Sequence, residues 1–147
     1  MRRCKHYPPK QPLLGWSALL GLVLALTGCA SVESKQRLES LDRSLMTYGK
    51  ALRWGEYEEA ALYRLPRDGR PVMPVNRNNF KDIGVISYQV FEQRLNRAQT
   101  EARVTMSISY YHEDTGTAKT ITDQQTWWYE PNQKRWFLDG DLPEFAR

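Results

Sequence analysis

The chain has 147 residues, of which 21 are lysine or arginine and 17 are aspartate or glutamate. That length suits one compact domain and is short for two. The whole excess of positive charge lies in the first ten residues, and the rest of the chain is formally neutral, with no basic run or stripe. This distribution excludes the electrostatic surface on which nucleic-acid binding depends.

The N-terminal segment has the successive parts of an export signal. Residues 1–12 carry four basic side chains and no acidic one, and an apolar run follows from Leu13 to Leu26. This run is too short to cross a bilayer comfortably, and its length is typical of the apolar part of a signal peptide. It ends at Leu26-Thr27-Gly28-Cys29, which resembles the lipobox of bacterial lipoproteins. An uncleaved signal anchor is the alternative interpretation.

The resemblance to lipoproteins implies a lipid anchor and a location. In that family a peptidase removes the segment before the cysteine, here residues 1–28, and acyl chains on the thiol, here Cys29, hold the protein on a membrane. Residues 29–35 would then be a lipidated tether and residues 36–147 the domain. Because Ala30 stands where an aspartate would favour the inner membrane, the resemblance implies the periplasmic face of the outer membrane. The inner membrane is the alternative.

Two helices are predicted at the start of the domain. Apolar residues recur at steps of three and four, as on one face of an amphipathic helix, at Leu38, Leu41, Leu45, Tyr48 and Leu52. Gly55 is placed to cap the end of this helix. A second, shorter helix is predicted from Glu56 to about Arg64, because its first residues are acidic and Pro66 ends the pattern.

Strands are predicted in the second half of the chain, where the apolar period changes from 3.6 to 2. Before the change, Pro74 limits residues 72–75 to a short or edge strand, and residues 76–82 form a polar connection. From Ile83 onward, Ile86, Tyr88 and Val90 alternate with polar residues, while Val85 and Phe91 on the other parity indicate partial burial of both faces.

Three further strands complete the pattern. The clearest has one apolar face, which consists of Ala102, Val104, Met106, Ile108 and Tyr110. A hairpin connection at residues 112–117 leads to a long strand from about Ala118 to Tyr129. A turn at residues 130–134 then precedes a last short strand at Trp136–Leu138.

Helices followed by a meander of strands predict an α+β domain, in which N-terminal amphipathic helices pack on a curved antiparallel sheet of about four strands. The chain resembles the NTF2-like (cystatin-like cone) superfamily at the end of the first helix and in the last two strands. The segments that carry the resemblance are residues 48–60, 125–129 and 135–140. The resemblance implies a cone with an interior cavity.

The residues of the domain give little indication of catalysis. Nucleophile elbows, phosphate loops, dinucleotide fingerprints and zinc-helix motifs are absent from the sequence, and once Cys4 is removed no spare thiol remains for a metal. The only histidine of the domain, His112, is interpreted with its acidic neighbours as a polar hairpin tip. Some NTF2-like enzymes use a carboxylate and a tyrosine hydroxyl inside the cone, and Tyr88, Tyr110 and Asp123 could line such a cavity. No fixed spacing singles them out, and we expect no catalytic residue, metal or cofactor.

Aromatic residues near the end of the chain are the candidate docking or pocket residues. Adjacent strand residues point to opposite faces, so Trp127 and Trp128 cannot both enter one core. The same holds for Trp136 and Phe137. One interpretation is a core plus a partly covered outer face; the other is an apolar docking patch for a protein. The strand tyrosines Tyr88 and Tyr110 complete the candidate set.

These features predict a lipid-anchored accessory protein that docks on another envelope protein. The alternatives are a periplasmic domain that binds a small molecule or lipid in the cone, and an isomerase- or dehydratase-like enzyme. Because one fold can host all three functions, fold alone does not separate them. A filled cone with an exposed apolar patch would favour docking, and an open apolar cavity would favour binding.

Overall fold

The computed structural model describes the backbone of residues 15–146 and the side chains of residues 32–146. The chain divides into an N-terminal unit that ends at Lys35 and a second unit, Gln36–Arg147. The predicted signal residues before Gly15 and the side chain of Cys29 lie outside the described residues. The elements are helix α1 (Gly15–Arg53), helix α2 (Tyr57–Ala61), a 3₁₀ turn (Arg77–Asn79) and strands β1 (Ile83–Leu95), β2 (Glu101–His112), β3 (Ala118–Glu130) and β4 (Arg135–Leu138).

Helix α1 includes residues 29–35, the predicted tether, whose backbone is helical. Among the described residues, no helix is both long and apolar enough to cross a membrane. In the second unit, the predicted apolar face of α1 is buried at Leu41, Leu45, Tyr48 and Leu52. Their helical spacing places these side chains on one face of α1, which covers the sheet. The burial of each apolar side chain stabilises the fold by about 1.5–3 kcal/mol.

The end of α1 is a Schellman cap, as Gly55 predicts. Gly55 has φ of 69°, a left-handed conformation that costs a glycine little. Its N–H donates to the carbonyl of Leu52 at 3.2 Å, and the N–H of Glu56 donates to that of Ala51 at 2.9 Å. These two bonds satisfy carbonyls that the helix end would otherwise leave free.

The segment after α1 differs from its predictions in two places. Helix α2 ends at Ala61 instead of Arg64, because the next residues pair with β4: Leu65 N–H donates to Leu138 O, and Leu138 N–H donates to Tyr63 O. Residues 72–75, predicted as a short or edge strand, are irregular. Prolines at 71 and 74 remove two backbone donors from that stretch, so it cannot form a regular ladder.

The four strands form one antiparallel sheet in the order β1-β2-β3-β4, and the α+β class is confirmed. The helices are one long helix and one of only five residues, so α1 is the only long helix among the described residues. In β2 the predicted apolar face is fully buried from Ala102 to Tyr110. Its register places Ala102 opposite Trp127 and Met106 opposite Asp123, so β2 and β3 present one continuous face to α1.

Strand β1 contains two irregularities that the sequence alternation does not show. The register shifts between Val85 and Ser87 and again between Val90 and Glu92. Each bulge inserts one extra residue and resets the parity of the strand. Val85 and Tyr88 therefore both face the core, while Ile86 and Phe91 are exposed. The prediction that Ile86 shares a face with Tyr88 is wrong for this reason.

Candidate functional site

Three of the six aromatic candidates are core residues. Trp127, Trp136 and Tyr110 have no exposed surface. The indole N–H of Trp127 donates to Gln125 Oε1 at 2.8 Å, and that of Trp136 donates to Arg37 O at 2.9 Å. Both indole N–H groups are satisfied inside the domain, so Trp127 and Trp136 fill the space between α1 and the sheet and offer no surface to a partner.

Trp128 and Phe137 lie together on the other face of the sheet, with ring centres 6.0 Å apart. Phe137 is buried and Trp128 is half-buried. The indole N–H of Trp128 donates to Leu65 O at 2.8 Å, while Arg67 and Arg135 lie over the two rings. This pair matches the interpretation of a partly covered outer face, and Leu65 and Arg67, which follow α2, contribute to the cover.

A polar chain runs through the core face of β3. Gln125 Nε2 donates to Asp123 Oδ2 at 2.6 Å, and Gln125 Oε1 accepts the indole N–H of Trp127. The hydroxyls of Tyr48 and Tyr88 are buried, and neither meets hydrogen-bond geometry with a described residue. The sequence indicated Tyr88 and Asp123 as possible cavity residues, but not Gln125 or Tyr48. Glutamine on a strand usually faces solvent, and Tyr48 was predicted only as part of the apolar face of α1.

Burial sets the protonation of this cluster. Desolvation raises the pKa of Asp123 above its usual range, although the hydrogen bond from Gln125 opposes the shift. Desolvation also raises the pKa of Tyr48, with smaller contributions from Tyr88 and Asp123. The pKa of Tyr88 rises for the same first cause, with the charge of Asp123 second. The tyrosines are therefore neutral at physiological pH, and the carboxyl holds its proton to a higher pH than an exposed aspartate does.

The raised pKa of Asp123 predicts that ionising this group costs stability. A folded-state pKa above the unfolded value of 3.8 means that the folded chain binds more protons, so stability falls as pH rises through that interval. We expect Asp123→Asn, which keeps an oxygen for Gln125, to unfold at higher urea concentration than the unsubstituted chain at pH 7. The difference should shrink at pH 3, where both side chains are neutral. Urea titrations at the two pH values measure it, and an equal difference at both would contradict the assignment.

His112 is buried, so its interpretation as part of a polar hairpin tip is wrong; Glu113 and Asp114 are exposed in the turn, as predicted. Three donors converge on the carbonyl oxygen of Ala146: Tyr110 Oη at 3.0 Å, His112 Nε2 at 2.9 Å and Lys119 Nζ at 3.4 Å. The histidine lies inward because it is the last residue of β2 and continues the core face by period 2. No group of His, Cys, Asp and Glu in the described residues has the arrangement of a metal site.

Residues 141–145 form one wall of a groove of about 590 Å³, and the opposite wall lies within residues 73–80, which include the 3₁₀ turn. Arg64 is buried at this groove and connects its two walls. It donates to Met73 O, and its Nη1 lies 3.2 Å from Asp141 Oδ1. A buried guanidinium needs such partners, so Arg64 holds the two segments together.

The two edges of the sheet differ. The β4 edge is covered by residues 63–65, through their hydrogen bonds to Leu138 and the bridge of Arg64 with it. Strand β1 is 13 residues long and, within residues 15–146, pairs with β2 alone. Phe91 on this edge is 84% exposed, and Ile86 and Val90 are also exposed.

Comparisons of the chain with models of known families, with curated proteins and with solved structures found no match.

Proposed function

We propose that the chain is a lipoprotein anchored through Cys29 to the periplasmic face of the outer membrane. Its domain, a cone of the NTF2-like type, is a non-enzymatic module that docks on another envelope protein. The lipobox-like residues 26–29 support the anchor. A four-stranded antiparallel sheet with a helix on its core face supports the cone. The free edge of β1 is the observation that carries docking.

The edge of β1 has only part of the usual protection of an edge strand. Such a strand presents a row of unpaired N–H and C=O groups, which natural proteins protect with lysine, proline, bulges or a covering segment. Strand β1 has two bulges, but it contains neither lysine nor proline. Its charges, Glu92 and Arg94, pair with each other at 2.6 Å. An apolar edge without net charge is a template for an added strand.

The occupant that fits this edge is an extended segment of a different protein, which would add a fifth strand. Its apolar side chains would cover Ile86, Val90 and Phe91, and its backbone would pair with that of β1 between the bulges. A second copy of this chain fits less well because each copy would bring two bulges to the shared ladder. The filled core supports docking over binding in a cone cavity, since Trp127, Met106 and Tyr110 have no exposed surface.

Photocrosslinking in intact cells tests the docking edge. We expect p-benzoylphenylalanine at position 91 to form an adduct with one extended segment of an envelope protein. The same probe at Thr122, an exposed residue of β3 on the far side of β2 from the β1 edge, is the matched control and should not capture that segment. Adducts with a second copy of the chain, or equal capture of the same protein at both positions, would overturn the proposal.

A charge at the edge should weaken docking without harming the fold. With the probe at the exposed Gln89, we expect Phe91→Lys to reduce the adduct at least fivefold, because lysine on an edge strand disfavours an added strand. Met46→Lys, a matched change of an exposed apolar residue on α1, should leave the adduct unchanged. Both positions are exposed, so stability should change by no more than about 0.5 kcal/mol. Equal adduct yields in the two variants would contradict a role for Phe91.

The lipid anchor makes a separate prediction. We expect Cys29→Ala to abolish incorporation of labelled palmitate and to prevent processing at the cysteine, because the acyl acceptor is the thiol. Labelling followed by electrophoresis of the cell envelope measures both effects. Cys4→Ala is the matched control and should be labelled and processed normally. Undiminished labelling of Cys29→Ala would rule out this anchor.

A further inference from the structure

More hydrogen-bond donors meet at the Ala146 carbonyl oxygen than one peptide carbonyl requires. The oxygen has two lone pairs, yet Tyr110, His112 and Lys119 all approach it within 3.4 Å. One of these donors is an ammonium group. A carboxylate has two oxygens with about four acceptor positions and carries the charge that a lysine complements. The donor set therefore matches a carboxylate better than the neutral amide that occupies it.

An apolar subsite adjoins these donors. The ring of Phe145 lies 4.8 Å from the ring of Tyr110 and 6.1 Å from that of Phe80, measured between centres. Phe80 and Phe145 line the groove of about 590 Å³, together with Leu142 and Pro143. On the other side of the donors is a polar pocket of about 410 Å³. An aromatic side chain followed by a carboxylate would fill the subsite and the donor cluster at once.

The segment that now occupies this site, residues 141–146, is called the strap here. Its first part is fixed by Leu142, which is buried in the core. Its last part is held less firmly, since Phe145 is half-buried and Ala146 is exposed. A ligand that uses the same contacts could therefore displace Phe145 and Ala146 without opening the core.

We propose that Tyr110, His112 and Lys119 form a binding site for an aromatic carboxylate, and that the strap is a built-in competitor occupying it. The polar pocket beside the donors contains Lys81 and Lys119 and also Asp82 and Asp114. Its charges balance, so specificity comes from the converging donors and the aromatic subsite. Two kinds of ligand have this chemistry: a peptide whose second-last residue is phenylalanine, and a small aromatic acid.

Calorimetric titration of the full-length chain, purified in detergent, tests this site. The probe is N-acetyl-phenylalanyl-alanine, which reproduces Phe145-Ala146 with a free carboxylate. We expect Phe145→Ala to bind it at least tenfold more tightly than the unsubstituted chain. The apparent affinity scales with the fraction of molecules whose site is free, and loss of the Phe145 ring should free the site. Glu144→Gln, an exposed change in the same strap, should bind like the unsubstituted chain. If Phe145→Ala does not fold by circular dichroism, Phe145→Leu replaces it.

Two further comparisons identify what is recognised. Adding Tyr110→Phe to Phe145→Ala should weaken binding about tenfold, the effect of losing one hydrogen bond to a charged group. The methylamide of the probe should bind at least tenfold more weakly than the acid, and equal binding of the two would overturn the carboxylate assignment. Binding of 3-phenylpropanoate as tight as that of the dipeptide indicates a small aromatic acid, and weaker binding indicates a peptide end. A folded Phe145→Ala chain that binds neither acid would overturn the proposal.

Discussion

A methyl group at position 49 is expected to destabilise the domain by about 3 kcal/mol, in the range for overpacking of a filled core. Gly49 lies in α1 where the helix crosses β1, and a Cβ there would lie 2.7 Å from Cγ of Tyr88 and closer to two other ring atoms. The ring cannot move easily because it also packs edge-on against Tyr48, with centres 6.0 Å apart. Urea unfolding of Gly49→Ala measures the loss.

A double-mutant cycle separates this clash from other effects of the substitution. In a Tyr88→Ala background the space above residue 49 is open, so Gly49→Ala should become neutral or stabilising by up to about 1 kcal/mol, because alanine favours a helix over glycine. Gly140→Ala is the control, since a Cβ at Gly140 meets nothing within 4 Å. A loss of the same size in both backgrounds would show that contact with Tyr88 is not its cause.

Loss of the Trp127 side chain should have the largest effect of any single substitution considered. We expect Trp127→Ala to lower the free energy of unfolding by about 3–5 kcal/mol, which is a large part of the stability of a small domain. The indole packs edge-on against Tyr48 at 5.4 Å and against Tyr63 at 5.8 Å, measured between ring centres. Its removal leaves a cavity and also deprives Gln125 of a donor.

The control for Trp127 is a tryptophan of the same chain outside the core. Trp54 is 70% exposed, so Trp54→Ala should change stability by about 0.5 kcal/mol or less. If Trp127→Ala does not fold, Trp127→Phe keeps a ring in the core, loses the bond to Gln125 and should cost less than the alanine change. Equal unfolding free energies for Trp127→Ala and Trp54→Ala would contradict the core assignment.

Local pattern predicted the regular elements well, because each of these elements buries one face. The helix that contains Leu41 and Leu45 and the strand that contains Val104 and Met106 repeat their apolar residues at the periods of their own backbones. The cap at Gly55 was also predictable, since a left-handed residue at a helix end favours glycine. The bulges of β1 were not, because one inserted residue alters pairing with β2 without leaving a mark in composition.

The candidate site was less predictable than the fold. Sequence reasoning named Trp127, Trp136 and Tyr110 as surfaces for a partner or lining for a pocket, and the structure places all three in the core. Aromatic residues serve cores and interfaces equally well, so their identity does not reveal which one they serve. The exposed edge residue Phe91 was assigned to a half-buried face because its parity was counted without the bulge.

The amino-acid sequence by itself determined the lipobox-like motif at Cys29 and the charge balance of the chain, because these depend only on which residues stand next to one another. It also determined the apolar faces of α1 and β2, whose periods follow from backbone geometry. Tertiary structure alone decided that β1 is an edge and that Tyr110, His112 and Lys119 meet at Ala146. Such features join residues far apart in the chain, and only the pairing of strands and the path of the strap bring them together.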